Sequence, residues 1–229
     1  QIFDNIAEDS QLVTALQQTV RVAQRADFCV GYFNLRGWRA IADDIDAWAG
    51  GDGACCRVLV GMQGRPEEEL RSHLAQFGDP PLMDNATAIR QRKQLALTFR
   101  EQLTFGAPTN RDEAALRQLA RQLRSGKVVV KLYLRHRLHA KLYLFHRQDA
   151  FAPVIGYLGS SNLTFSGLAA QGELNVDVIE QDAARKLAQW FEERWSDRFC
   201  LDITAELAEI IEESWARTEL IPPYHIYVK

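Results

Sequence analysis

The chain has 229 residues, 47% of them hydrophobic and 25% charged, with a formal net charge of −3. This is the composition of an ordinary folded domain; it excludes disordered, collagen-like and low-complexity classes, and the length allows one substantial core or two small ones. No apolar run is long enough to span a bilayer and the N-terminal stretch lacks the layout of a signal peptide, so the sequence predicts a cytoplasmic protein.

Residues 9–24 begin with an acid and Ser10 as an expected N-cap, then place Leu12, Leu16, Val20 and Ala23 at helical spacing. The run DFCVGYF, rich in β-branched and aromatic residues and bounded by Asn34 and Gly37, predicts a strand. LRGWRAIADDIDAWAGGDG then predicts one helix ended by glycines, and CCRVLVGM a second buried strand. Strand, helix, strand at this spacing is a parallel crossover unit.

From residue 62, and more clearly from Pro66, to Gly126 the chain is polar and helical in period, with breaks at Gly78–Pro81 and Gly106–Pro108. It is expected to be a helical insertion of two or three helices. Strands return in KVVVKLYLR, LHAKLYLFH, PVIGYLGS and LNVDVIE. DAARKLAQWFEERWSD and TAELAEIIEESWA carry apolar stripes at helical spacing that read as core faces. The expected fold class is α/β, one domain with a mixed, largely parallel sheet covered by helices on both faces.

Cys29, Cys55, Cys56 and Cys200 form no C-x-x-C pair and three of them sit in apolar strand-like runs. They are expected to be buried free thiols in a reducing compartment. The charge distribution is uneven. Arg121, Arg124, Lys127, Lys131, Arg135, Arg137, Lys141 and Arg147 follow one another with no acid between them, whereas twelve acids crowd residues 173–213. Such a chain could present one basic face to a phosphate-rich partner, or simply alternate solvated surfaces.

The chemistry concentrates between His136 and Glu173. In a strand, His139 and Lys141 share a face, and Leu138, Ala140, Leu142 and Leu144 take the other. The next strand ends in Gly159-Ser160-Ser161-Asn162, small polar residues at a strand's carboxyl end, where α/β sheets place ligand sites. An imidazole, an ammonium, a hydroxyl and a carboxamide together suit a tetrahedral phosphate: one attacking nitrogen and several donors for its oxygens.

His139-x-Lys141, Gly159-Ser160-x-Asn162 and Glu173 eleven residues past Asn162 resemble the motif of the phospholipase D superfamily. The family usually carries Asp five residues after the Lys; here that position is His146. FCVGYFNLRGWRAIADDI, CRVLVGM and the tail ITAELAEIIEESWARTELIPPYHIYVK further resemble the single-motif phospholipase D-like domains found at the amino end of bacterial superfamily 2, Swi/Snf-like helicases. The resemblance implies residues 1–229 as one such domain, with 200–229 as a terminal helix and linker toward a covalently linked helicase region. No G-x-x-x-x-G-K-[ST] is present, so ATP hydrolysis is not assigned to this chain.

The resemblance also implies a metal-independent phosphodiesterase, without cofactors, acting on DNA through a phosphohistidine. His139 would be the nucleophile and Glu173 would fix its tautomer. Lys141, Asn162 and Ser160 would bind phosphate oxygens, with Arg135 and Arg137 steering the backbone. A histidine cannot attack phosphorus and protonate the leaving oxygen in one step, and this chain has one H-x-K, since His73 and His225 lack the lysine. A homodimer with His139 of each copy facing the other across a two-fold axis is therefore expected. A second reading of the same residues is a catalytically weak or inactive module that binds the DNA backbone and dimerises.

Overall fold

A computed structural model describes residues 1–61, 85–103 and 110–213. They build an eight-stranded mixed sheet: β1 (Ile2–Phe3), β2 (Arg25–Val30), β3 (Cys56–Val60), β4 (Val128–Tyr133), β5 (Leu142–His146), β6 (Val154–Gly159), β7 (Asn175–Val178) and β8 (Cys200–Asp202). Their spatial order is β1-β7-β6-β5-β2-β3-β4-β8. The helices are α1 (Leu12–Val20), α2 (Leu35–Trp38), α3 (Ala42–Asp46), α4 (Asn85–Leu103), α5 (Asn110–Arg124), α6 (Gln181–Trp195) and α7 (Thr204–Glu213).

The sheet is mixed and covered on both faces, as expected, but not largely parallel. Only β2–β3 and β3–β4 pair in parallel; the other five pairings are antiparallel. The crossover from β2 to β3 is the parallel unit read from the sequence, whereas β5, β6 and β7 form a meander laid against the other side of β2.

Side chains alternate between two cores along each strand, as the pleat requires. Phe28, Val30, Val58, Val60, Val130, Leu132, Tyr143 and Phe145 face the larger core, which α1 to α5 and α7 cover. Cys29, Leu59, Leu142 and Leu144 face the smaller one under α6, with Phe191 and Trp195. Both sides of β2 are thus dry, and each fully buried Val, Leu or Phe contributes roughly 1.5–3 kcal/mol. Arg57, on β3, lies over the Phe191 and Trp195 rings at 5.1 Å from each, and Lys131 over Trp195 at 4.4 Å, which fastens α6 to the sheet.

Three local expectations change. Gln11, not Ser10, is the N-cap of α1 and makes no side-chain cap; the first helical N–H, Leu12 N, donates to Asn5 Oδ1 at 2.9 Å, while Ser10 Oγ donates to Asp4. The single helix expected after β2 is two short ones, α2 and α3, with a turn that buries Trp38, Ile41 and Ile45 together. The basic run forms no single face, because Arg124 pairs with Glu212, Arg135 with Asp197, and Lys131 packs on Trp195. Two of the acids of residues 173–213, Asp197 and Glu212, are thus partners of the run.

The four cysteines are free, with Cys29, Cys55 and Cys56 buried. Of the insertion, α4 and α5 are helical, while residues 62–84 and 104–109, and the tail 214–229 toward the expected helicase, lie outside the described residues. Among the described residues no helix is long and apolar enough to cross a membrane.

Candidate active site

His139 and Lys141 stand in the segment entering β5. Ahead of them, Leu138 N donates to Gly61 O at 3.2 Å, which ties the segment to the end of β3. A Cβ on Gly61 would lie 2.1 Å from Leu138 O, so the approach needs glycine. Leu138, Ala140, Leu142 and Leu144 all pack into the core under α6, and this alternation turns His139 and Lys141 to the opposite side. On the neighbouring strand, Gly159 N donates to Lys141 O at 3.2 Å, so the end of β6 with Ser160 and Asn162 lies beside them.

Lys141 is buried, His139 exposed, and Lys141 Nζ lies 2.6 Å from His139 Nε2 and 3.1 Å from the His139 carbonyl. An ammonium has no lone pair, so with Lys141 charged it donates, Nε2 accepts, and the neutral ring carries its proton on Nδ1. Burial pulls the Lys141 pKa down, and the Glu173 carboxylate opposes that shift.

Asn162 is held by the loop after β2. Tyr32 N donates to its Oδ1 at 2.9 Å, which leaves Nδ2 as the donating end of the carboxamide. Ser160 Oγ donates to Glu173 Oε2 and accepts from Leu174 N at 3.0 Å. Its single proton is therefore committed to Glu173, and Ser160 positions that carboxylate. Glu173 in turn has no hydrogen bond to His139 among the described residues; its charge favours the ammonium form of Lys141.

Of the two arginines singled out, Arg135 is committed to the scaffold: it pairs with Asp197 at 2.9 Å and lies over Phe199 at 4.6 Å. Arg137, exposed two residues before His139, has no ion pair among the described residues. His136 meets Tyr133 edge-on, and its Nδ1 is 3.2 Å from Arg137 O. Among the described residues, no group of three His, Cys, Asp or Glu side chains is placed to hold a metal ion.

Several supporting residues escaped sequence reasoning. Asn175 exchanges hydrogen bonds with the buried Ser161, Oδ1 taking Ser161 N at 3.2 Å and Nδ2 reaching Ser161 Oγ at 2.8 Å. Tyr143 donates to Ser161 O at 2.9 Å from the core side. A Cβ on Gly159 would lie 2.2 Å from Leu174 O, so the glycine of the motif permits β6 and β7 to close on each other. The only sequence signal for this layer was the unassigned Ser161 inside the motif.

His146, at the position where Asp was expected, lies at the far end of β5 from His139. Its Nε2 is 2.7 Å from Oδ2 of the buried Asp27, on β2, which also takes Arg25 at 2.7 Å and Arg57 at 2.6 Å. A carboxylate supplied by the neighbouring strand is present at that end.

No curated protein matches the chain. Solved structures that resemble it include NucT from Helicobacter pylori, at 10% identity and a TM-score of 0.48, covering 88% of this chain and 97% of that one. Nuc from Salmonella typhimurium, a phospholipase D family member, gives 12%, 0.46, 88% and 95%. Phosphatidylserine synthase of Haemophilus influenzae Rd KW20 gives 15% and 0.49, over 93% of this chain and 43% of that one. The family model described as cardiolipin synthase, PLD-like domain, matches residues 12–195, and the chain belongs to this family of the phospholipase D superfamily.

Proposed function

We propose that the chain is a metal-independent phosphodiesterase of the nuclease kind, cleaving DNA through a phosphohistidine on His139. The observation that supports it most is the 2.6 Å contact between the buried Lys141 ammonium and His139 Nε2, beside Asn162 and the Ser160–Glu173 pair. This is a neutral nucleophile with a cation already next to the place where a phosphate would sit.

As the phosphodiester enters, Lys141 transfers its hydrogen bond from Nε2 to a non-bridging oxygen and frees the ring lone pair. Asn162 Nδ2 donates to the same group, and Arg137 attracts the flanking backbone. Nε2 then attacks phosphorus, the bond from phosphorus to the leaving oxygen breaks, and that oxygen takes up a proton. Water hydrolyses the phosphohistidine and regenerates the imidazole.

The proton donor is His139 of a second copy, in a homodimer whose two sites meet on the two-fold axis. Two facts favour a second copy over this chain's other histidines: His136 is turned onto Tyr133, and His146 is bound to Asp27 at the other end of β5. His73 and His225 lie outside the described residues. The DNA substrate and the linked helicase rest on the likeness of the chain's opening strands and tail to helicase-borne domains.

A module that only binds the DNA backbone draws support from one observation, that Nε2 is engaged by Lys141. Cleavage of labelled single- and double-stranded DNA in excess EDTA, with His139→Ala alongside, separates the two. Cleavage that survives EDTA and vanishes in the variant supports the phosphodiesterase. DNA bound but uncut by both proteins supports the module.

A further inference from the structure

The loop that follows β2 runs beside Asn162, and Phe33 anchors it. The Phe33 ring is 1% exposed and meets Trp38 and Phe99 at 5.5 and 5.8 Å between centroids; Phe33 also bridges to Leu163, whose carbonyl accepts from Asn34 N at 3.0 Å. Tyr32, one residue earlier, is 44% exposed, while its N–H holds Asn162 Oδ1 at 2.9 Å. Among the described residues the Tyr32 hydroxyl makes no hydrogen bond and its ring no aromatic contact.

The strand register brings the same residue toward His139. β2 pairs with β5 as far as Cys29 and Leu142; Tyr32 lies three residues beyond that last pair on one segment, and His139 three residues beyond it on the other. Gly61 ties the two segments together, since its N–H donates to Val30 O at 3.0 Å and its carbonyl accepts from Leu138 N at 3.2 Å. A lone exposed ring is ordinary on a protein surface. This one is fixed by its own backbone to a phosphate donor and leaves the sheet alongside the nucleophile.

A phosphodiester held by Lys141 and Asn162 in a nucleic acid carries a base on each flank. Tyrosine offers a flat, rigid and uncharged face. Such a face stacks on an unpaired base of any identity, whereas a duplex keeps its base faces covered. Resting on the phosphodiesterase reading, we infer that Tyr32 is the substrate-selecting residue of the site: its ring stacks on the unpaired base next to the scissile phosphate and so favours a single strand over a duplex.

The His139→Ala chain in EDTA, which leaves the strand uncut, is titrated by anisotropy with three fluorescent probes, all about twenty nucleotides long: oligothymidylate, an abasic strand with the same phosphates, and a duplex. Oligothymidylate binds more tightly than the other two. Adding Tyr32→Ala, a change at an exposed side chain, weakens oligothymidylate about tenfold, the order expected for one lost base stack, and leaves the abasic strand nearly unchanged. Tyr32→Phe keeps the ring and binds as the parent does. Unchanged binding in Tyr32→Ala overturns the stack, and so does equal weakening on both strands, which would mean that the loop and Asn162 have moved. A Phe variant as weak as the Ala variant, or a duplex bound as tightly as oligothymidylate, overturns it too. If the unaltered chain cuts no DNA while the Tyr32-dependent preference for oligothymidylate persists, the stack stands and only the phosphodiesterase reading falls.

Discussion

The two ends of β5 each carry a histidine in a short hydrogen bond, and the two are wired in opposite senses. At one end His139 Nε2 meets a lysine at 2.6 Å and, with that lysine charged, is the acceptor; at the other His146 Nε2 meets a carboxylate at 2.7 Å and is the donor. His139 is exposed with one cation beside it, whereas Asp27, the partner of His146, is buried and also gripped by Arg25 and Arg57. The partner, and not the imidazole, decides which end is poised for chemistry and which is a clasp between strands. A nucleophile needs an open lone pair and access; a clasp needs every bond filled.

The contrast breaks most visibly at the open end. His139→Ala is expected to lower EDTA-resistant cleavage by at least about 10³-fold, the order seen when a nucleophile is removed. Its urea-unfolding midpoint should stay near that of the parent chain.

The closed end responds the other way. Asp27→Asn leaves two guanidiniums around a neutral amide and should cost about 3 kcal/mol in urea unfolding, at the low end for a broken buried pair because Arg25 is partly exposed. Cleavage per folded molecule should change less than twofold. A large loss of turnover at unchanged folding would show that the two ends are coupled.

Acid sharpens the same point. Burial alone would raise the Asp27 carboxyl, but hydrogen bonds from His146, Arg57 and Arg25 overcome it and hold the group well below the usual carboxylate range. A carboxylate depressed on folding contributes its stability above the unfolded value near 4 and loses it as pH falls through the folded value. Urea midpoints should therefore drop below about pH 4, and less steeply in Asp27→Asn than in the parent chain.

The smallest effect belongs to Ser160→Ala, which frees Glu173 from its hydroxyl partner. Cleavage should fall about tenfold, roughly the 1.4 kcal/mol of one hydrogen bond to a charged group. A loss as large as that of His139→Ala would mean that Ser160 touches phosphate directly.

Legibility in the sequence followed the range of the interactions. The H-x-K spacing places His139 and Lys141 on one side of the chain, and the six longer strands announce themselves by apolar runs, because both signals are local. Beyond the parallel β2–β3 unit, strand directions were not legible: β5 lies between β2 and β6 through contacts more than a hundred residues apart in the case of β2, and no short hairpin turn advertises them. The Asp27–His146 clasp was hidden for the same reason, since its partners are 119 residues apart. The commitments of Arg135 to Asp197 and of Ser160 to Glu173 also depend on tertiary placement; from the sequence alone both residues looked available to substrate. Strands β1 and β8, of two and three residues, are too short to carry a periodic pattern.

Those two strands close the sheet at its margins. An unpaired strand edge is a template for another chain, and its reach scales with the backbone groups it leaves open. Edges of two and three residues offer a neighbouring sheet almost nothing to extend. Edges this short favour side chains on faces and loops, rather than shared strands, as the material of a pairing between copies. Such a contact can be tuned, strengthened or lost by substitution.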